Sequence, residues 1–145
     1  MLVDSHCHVD FPEFGEDLSG VLDRAFSADV GHLLCVCVNL ADFHRVLAIA
    51  NRSKHISASV GVHPNTQLEP NDEPLQEQLE ILASDRKVVA IGETGLDFYR
   101  DDCDPRTQKE RFSRHIGADR QTKKPLIIHT RNAEKETLEL MQAEQ

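Results

Sequence analysis

Short apolar runs alternate five times with amphipathic stretches along this chain, and this alternation most narrows the folds that it can adopt. Residues 33–38 and 88–91 are apolar without a break, as expected of strands that are covered on both faces. Between such runs, apolar residues recur at helical spacing, for example at Phe43, Val46 and Ala50. Strands that alternate with helices in this way indicate a parallel α/β sheet.

The pattern predicts five βα units. The predicted strands cover residues 2–10, 33–38, 56–62, 88–91 and 125–128. The predicted helices carry apolar stripes within residues 18–26, 43–50, 75–82 and 105–122, with a last stripe at Leu138 and Met141. Gly31 is predicted to end the first helix. The fourth stripe is patchy, because His115, Gly117 and Asp119 interrupt it.

The chain length of 145 residues is typical of one domain. The amino-acid composition limits the kinds of partner that the chain can bind. A net charge of −9 argues against a broad basic surface, so a phosphate-bearing substrate would need locally bound cations. No apolar run approaches the roughly 20 residues that cross a bilayer, and no signal peptide is evident. We therefore expect a cytoplasmic protein without membrane contact. Its four cysteines are expected to be reduced thiols.

The opening stretch, residues 2–10, carries the first sign of a metal site. If it is a strand, its period-2 alternation puts Asp4, His6, His8 and Asp10 on one face. Two neutral imidazoles at this spacing can share one divalent ion. A His-x-His pair alone is also common by chance on a surface, so the interpretation needs partners from elsewhere in the chain.

Polar residues at the ends of later strands supply such partners. His63, Glu93 and His129 stand at predicted carboxyl ends, where α/β barrels and open α/β sheets both place their active sites. The alternatives stay open for each: Glu93 could accept backbone N–H bonds, and His63 or His129 could have structural roles. Arg131 could hold a phosphate through paired hydrogen bonds or form a surface ion pair. No function is assigned to the remaining histidines, His32, His44, His55 and His115.

Four blocks of this sequence resemble the TatD-type metal-dependent deoxyribonucleases, a family of amidohydrolase-like barrels. These are residues 2–10, 61–64, 91–97 and 125–134, in the family's order. The resemblance covers the whole chain but only the first part of a family member, which normally continues to a complete (β/α)8 barrel. It therefore implies that residues 1–145 form a single incomplete TIM-barrel domain of about five βα units.

The resemblance also implies a site and a reaction. Residues matching His6 and His8 bind one divalent ion, Glu93 bridges two ions, and His129 binds the second, with Mg²⁺, Mn²⁺ or Zn²⁺ as the expected cofactors. Such a pair of ions can activate water and neutralise charge on a scissile phosphate. The implied activity is phosphodiester hydrolysis in DNA, often from a 3′ end. His63 and Arg131 are then predicted to contact the substrate.

The chain departs from the family pattern where it stops. A further His and an Asp that ligate metal in the family have no match here, so residues 1–145 could be inactive alone. Hydrolysis of C–N or carboxylic ester bonds on the same barrel, and a non-catalytic remnant, are the alternative interpretations. A barrel interrupted after five units leaves two strand edges unpaired, which favours self-association.

Overall fold

A computed structural model of the chain describes residues 1–144, and only Gln145, the last residue of the predicted domain, lies outside them. Five strands alternate with five helices. The strands are β1 (Leu2–Cys7), β2 (Val30–Cys35), β3 (Ile56–Val60), β4 (Val88–Asp97) and β5 (Leu126–Arg131). The helices are α1 (Leu18–Ser27), α2 (Phe43–Ala50), α3 (Gln76–Ala83), α4 (Pro105–Thr122) and α5 (Glu134–Ala143). The five predicted βα units are thereby confirmed.

All five strands form one sheet in which each strand pairs in parallel with its neighbour in sequence. The strand order β1-β2-β3-β4-β5, with helices between the strands, is that of the first part of a (β/α)8 barrel. The predicted fold class, a partial TIM barrel with a parallel sheet, is confirmed. This topology brings the carboxyl ends of all five strands to the same rim.

The main core lies between the sheet and the first three helices. Ile56, Val60 and Ile91 of the sheet are fully buried there, against Val46 of α2 and Leu79 of α3. A smaller apolar cluster lies at the other end of the sheet and consists of Leu96, Phe112, Ile116 and Ala133. Both clusters pack the rim strands against helices, which fixes the segments that carry the polar residues.

Three predicted boundaries are wrong, and the first is the end of β1, which lies at Cys7 and not at Asp10. The other two have identifiable reasons. The first helix ends at Ser27 and not at Gly31, because Asp29 takes the left-handed turn with φ of 64° and Gly31 already lies inside β2. The third is the end of β4. The strand continues to Asp97, and its pairing with β5 shifts register between Ile91 and Thr94.

Gly92 is required at that register shift. Its φ is 138°, and a Cβ on it would lie 2.6 Å from the carbonyl oxygen of Ile127. The irregularity has the form of a β-bulge, which turns a side chain out of the regular alternation. Glu93 is therefore held inside a strand and not at a strand end as predicted.

The sheet has two free edges within the described residues. β1 pairs only with β2, and β5 pairs only with β4. On β1, Leu2 and Val3 leave more than half of their surface exposed.

Among residues 1–144, no helix has the length and apolarity that crossing a membrane requires. All four cysteines carry free thiols, as predicted.

Candidate metal centre

The predicted ligands meet in one cavity at the carboxyl rim. His6 lies in β1, His8 directly follows that strand, Glu93 lies on the bulge of β4, and His129 lies in β5. The cavity has a volume of about 430 Å³, and all four side chains line it. Because the strands that carry them are parallel, residues far apart in sequence reach one centre.

His6, His8 and Glu93 form a first ligand group. Their ligand atoms all lie within 4.8 Å of one another. Nε2 of His6 lies 3.2 Å from Oε2 of Glu93, and Nε2 of His8 lies 3.8 Å from the same oxygen. Glu93 is the most buried of the three, with 10% of its side chain exposed.

The backbone fixes the tautomer of His8. Nδ1 of His8 lies 3.0 Å from the carbonyl oxygen of Val36, which can only accept, so Nδ1 carries the hydrogen. Nε2 of a neutral His8 then has a free lone pair that points toward Glu93. The ring of Phe11 stacks on the imidazole at 4.8 Å between centroids and restricts its rotation. His8 is thus oriented as a ligand before any ion binds.

The other oxygen of Glu93 faces a histidine from a different strand. Oε1 lies 3.5 Å from Nδ1 of His129. Nε2 of His129 lies 2.9 Å from Oδ2 of Asp97, so a neutral imidazole carries its hydrogen on Nε2 and keeps a lone pair on Nδ1. One carboxylate therefore presents one oxygen to His6 and His8 and the other to His129.

His63 lies in the same cavity but is not arranged as a ligand. Although His63, Glu93 and His129 also offer ligand atoms within 4.8 Å of one another, the backbone N–H of Asn65 donates to Nδ1 of His63 at 3.1 Å. A neutral imidazole has one lone pair, so Nε2 carries the hydrogen and can only donate. Burial lowers the pKa of His63 to about 4, despite the negative charge of Glu93 nearby. His63 is therefore a neutral hydrogen-bond donor at neutral pH.

Asp97 is the site residue that the sequence analysis missed. Its Oδ2 accepts hydrogen bonds from His129 and from the side chain of Asn65 at 2.7 Å, and its Oδ1 accepts from the backbone N–H of Tyr99 and of Arg100. Burial would raise the pKa of Asp97, but these hydrogen bonds together lower it, so the carboxylate is charged. Its position in the 91–97 block was the available signal, and only Glu93 was assigned from that block.

Cationic side chains stand at the β4–β5 side of the cavity. Arg131 and Arg100 line it, and the guanidinium carbon of Arg131 lies 3.7 Å from the ring centroid of Tyr99. Such stacking holds the planar guanidinium in one orientation while its N–H groups stay available. Of the two interpretations of Arg131, the surface ion pair receives no support from this arrangement.

The donor set fits divalent metal ions. Imidazole nitrogens and a carboxylate are the ligands that Zn²⁺ and Mn²⁺ take in proteins, and the lone pairs of His8 and His129 are directed by partners outside the centre. His6, His8 and Glu93 would hold one ion. Glu93 and His129 would contribute to holding a second.

Comparison with known proteins gives consistent matches over this whole architecture. Residues 3–145 match the family model described as TatD related DNase. The chain is 38% identical over 146 residues to YcfH of Escherichia coli K12 and 33% identical over 150 residues to TatD of Mycobacterium tuberculosis H37Rv, each named an uncharacterized metal-dependent hydrolase. These matches cover 99% of this chain but only 54% and 56% of the relatives.

Solved structures give the same picture. The crystal structure of YjjV, a TatD homologue from Escherichia coli K12, superposes with a TM-score of 0.87 at 31% identity, over 99% of this chain and 56% of that one. A TatD-family hydrolase from Entamoeba histolytica also gives a TM-score of 0.87, at 25% identity, over 99% of this chain and 54% of that one. The chain thus spans about half the length of the proteins that it matches.

Proposed function

This chain belongs to the TatD related DNase family, and on that premise we propose that it carries the ligand-bearing part of a metal-dependent hydrolase that cleaves phosphodiester bonds in DNA. The proposed centre binds two divalent ions, Mg²⁺, Mn²⁺ or Zn²⁺. His6 and His8 bind the first, His129 binds the second, and Glu93 bridges them. Removal of nucleotides from a 3′ end is the proposed mode of cleavage.

The arrangement of Glu93 carries this proposal. A carboxylate that presents one oxygen to His6 and His8 and the other to His129 has the geometry of a bridging ligand. A purely structural carboxylate at a strand would instead accept backbone N–H bonds. The carboxylate oxygens of Glu93 lie 3.2 to 3.8 Å from imidazole nitrogens, and His8 and His129 have free lone pairs there, which supports ligation of metal.

The chain's own residues would divide the work as follows. Two bound ions would supply the Lewis acidity that polarises a scissile phosphate and activates a water molecule. Glu93 would hold both ions, because one of its oxygens faces His6 and His8 and the other faces His129. His63, a neutral donor at Nε2, is placed to hydrogen-bond a phosphate oxygen from the cavity wall. The hydrogen bond from Asn65 keeps this ring in a donating orientation.

The position of Arg131 is an argument for a polyanionic substrate. The chain has a net charge of −9, so phosphate groups need a local cation to approach the rim. Arg131 lies on that rim, over the ring of Tyr99, and a guanidinium can bind a phosphate through two parallel hydrogen bonds. We propose that Arg131 binds a phosphate of the DNA strand next to the scissile one.

Substrate comparison tests the reaction. A chain extended to the length of the relatives and freed of host nucleases is assayed with end-labelled single-stranded DNA in Mg²⁺ or Mn²⁺, and in parallel with small amides and carboxylic esters. DNA cleavage that Glu93→Gln abolishes would support the proposal. Hydrolysis of amides or esters in place of DNA would favour the alternative reaction on the same barrel, and neither activity in a chain extended to the length of the relatives would favour a non-catalytic remnant.

Strand binding tests the role of Arg131 separately. In a Glu93→Gln background, fluorescence anisotropy with labelled single-stranded DNA should show weaker binding after Arg131→Lys, because lysine keeps the charge but not the planar, stacked fork. Arg24→Lys is the matched control, since Arg24 lies on α1 and pairs with Asp17 away from the cavity. Equal weakening by both changes would argue against a specific role for Arg131.

The free sheet edges support a further part of the proposal, self-association of residues 1–145. An unpaired strand edge with exposed apolar side chains can pair with another chain, and β1 exposes 61% of Val3. Analytical ultracentrifugation of the wild type and of Val3→Lys would test this, because a charge on the edge opposes pairing. A monomeric wild type would contradict it. The cytoplasmic location stays a prediction from the sequence.

A further inference from the structure

Helix α4 turns a polar face toward the sheet. Gln108, Arg111 and His115 are each no more than 1% exposed, although glutamine, arginine and histidine are costly to bury. They lie three and four residues apart, so they share one face of the helix. His115 is one of the residues that interrupt the predicted apolar stripe of this helix. Polar side chains are buried in this way only when hydrogen bonds compensate them, so their partners indicate what they do.

The side-chain amide of Gln108 forms hydrogen bonds with both backbone groups of Asp97. Its Oε1 accepts the Asp97 N–H at 2.8 Å, and its Nε2 donates to the Asp97 carbonyl oxygen at 3.0 Å. The same Nε2 also donates to the carbonyl oxygen of Cys103 at 3.2 Å. Asp97 is the residue that fixes the tautomer of His129. The amide of Gln108 thus holds the end of β4 where it supports the second ligand position.

Arg111 and His115 hold the segment that carries His63. Nη1 of Arg111 donates to the carbonyl oxygens of His63 and Pro64 at 2.8 and 3.1 Å, while its remaining donors bind Glu73. Nε2 of His115 accepts the N–H of Val62 at 3.0 Å. Its Nδ1–H donates to the Arg111 carbonyl oxygen at 2.7 Å, which sets the tautomer that this acceptance requires.

We propose that Gln108, Arg111 and His115 are positioning residues for the second half of the site, acting through Asp97 on His129 and through the 62–64 segment on His63. The proposal rests on the proposed function, because positioning matters only if these imidazoles take part in it. Besides Glu73, the Cys103 carbonyl and the Arg111 carbonyl within α4, the partners of this polar face are backbone groups at the end of β4 and just beyond the end of β3. The first ligand pair, His6 and His8, is held by β1 and β2 and is independent of this face.

Histidine side-chain NMR of metal-free residues 1–145 at pH 7.5 tests this. Long-range ¹H–¹⁵N spectra report the tautomer of each ring, with assignments from single His→Gln variants. In Gln108→Met, which keeps the side-chain volume but removes both kinds of hydrogen bond, the ¹⁵N signals of His129 should move toward the average of the two tautomers. In His115→Leu, the signals of His63 should move in the same manner. The signals of His6 and His8 should stay unchanged in both.

Two further variants separate positioning from general destabilisation. Ile116→Val lies on the same helix and removes a buried methyl group without touching the polar contacts, so it should lower the thermal midpoint but move no ring signal. His115→Gln should restore the His63 signals, because its side-chain amide can accept the Val62 N–H. Gln108→Met keeps the test usable if His115→Leu does not fold, because it perturbs His129 through Asp97 without changing His115.

The inference is overturned if the His129 signals stay in place in folded Gln108→Met or the His63 signals stay in place in folded His115→Leu, and equally if the signals of all four site histidines move together. Its failure is distinct from failure of the proposed function. A wild-type chain that takes up no Mn²⁺ would contradict the metal centre, whereas the ring signals of the metal-free protein would still report the positioning.

Discussion

The imidazole of His129 donates its Nε2–H to the carboxylate of Asp97 at 2.9 Å, and this hydrogen bond directs the Nδ1 lone pair toward Glu93. Asp97 in turn is held by Asn65 and by two backbone N–H groups, so the carboxylate cannot easily turn away. A metal ligand commonly depends on such a partner on its second nitrogen. His129 therefore relies on Asp97 to act as a ligand.

Replacing Asp97 tests this dependence. In a chain extended to the length of the relatives, Asp97→Ala should weaken binding of the second Mn²⁺ ion by about 10 to 100-fold, because His129 loses the acceptor that selects its tautomer. Isothermal titration measures it. Asp97→Asn, which keeps an acceptor oxygen, should retain more of the affinity. Equal affinity of Asp97→Ala and the parent would contradict a role in orienting His129.

Removing both histidines of β1 should abolish binding of the first ion. In residues 1–145, the double variant His6→Ala, His8→Ala leaves only Glu93 of the first ligand group, and one carboxylate is too few ligands for a tight site. Titration with Mn²⁺ or Zn²⁺ provides the measurement. His44→Ala is the matched control, since His44 is an exposed residue of α2. Binding that survives the double change would refute the assignment.

Glu93→Gln should cost more activity than His63→Ala. A bridging carboxylate serves both ion positions, and its amide lacks the charge that holds them, whereas His63 contributes one hydrogen bond from the wall of the cavity. Nuclease rates in a chain extended to the length of the relatives, with Mn²⁺ supplied, decide the order. The bridging role fails if Glu93→Gln matches the parent rate.

Residues 1–145 alone should show little or no nuclease activity. Among residues 1–144, Glu93 and His129 are the two side chains arranged to hold the second ion, and a positional error of about 1 Å can cost roughly 100-fold in rate. An assay with single-stranded DNA, Mg²⁺ and Mn²⁺ checks this after the association state has been measured. Turnover close to that of an extended chain, and lost in Glu93→Gln, would instead show that five units suffice.

Stability should fall in mild acid because of His115. Burial lowers the pKa of this ring from 6.5 to about 4, so between these values the unfolded chain binds a proton that the folded chain does not. The free energy of unfolding is therefore unaffected by this ring above about pH 6.5. It falls by on the order of 3 kcal/mol as the pH drops toward 4. Urea unfolding at several pH values measures the loss.

The control for this pH dependence is His115→Gln, which cannot titrate. The free energy of unfolding of this variant should change less with pH between 6.5 and 4 than that of the wild type. His63 also has a lowered pKa and titrates in the same window, so only the difference between the two proteins belongs to His115. Identical pH dependence of both proteins would show that His115 is not neutral in the fold.

Much of the architecture could be predicted because its signals are local. The helix at residues 105–122 was predicted with the bounds that the structure has, from Pro105 at its first turn. The end of β4 could not be predicted in this way. The bulge at Gly92 depends on the close approach of β5, and β5 is distant in sequence. The extended alternation of β1 failed for a similar reason. The strand ends at Cys7, and the carboxylate of Asp10 is buried beside Cys35 instead of facing the site.

The sequence by itself determined the order of strands and helices, the motif residues and the rim on which they meet, since side-chain periodicity and chain direction are properties of neighbouring residues. Only the tertiary structure decided what each imidazole can do. The acceptor that frees Nε2 of His8 is 28 residues away, and the one that frees Nδ1 of His129 is 32 residues away. The direction of a lone pair depends on such distant partners. The burial of Gln108, Arg111 and His115 on α4 depends on them too, because hydrogen bonds to distant segments compensate these side chains.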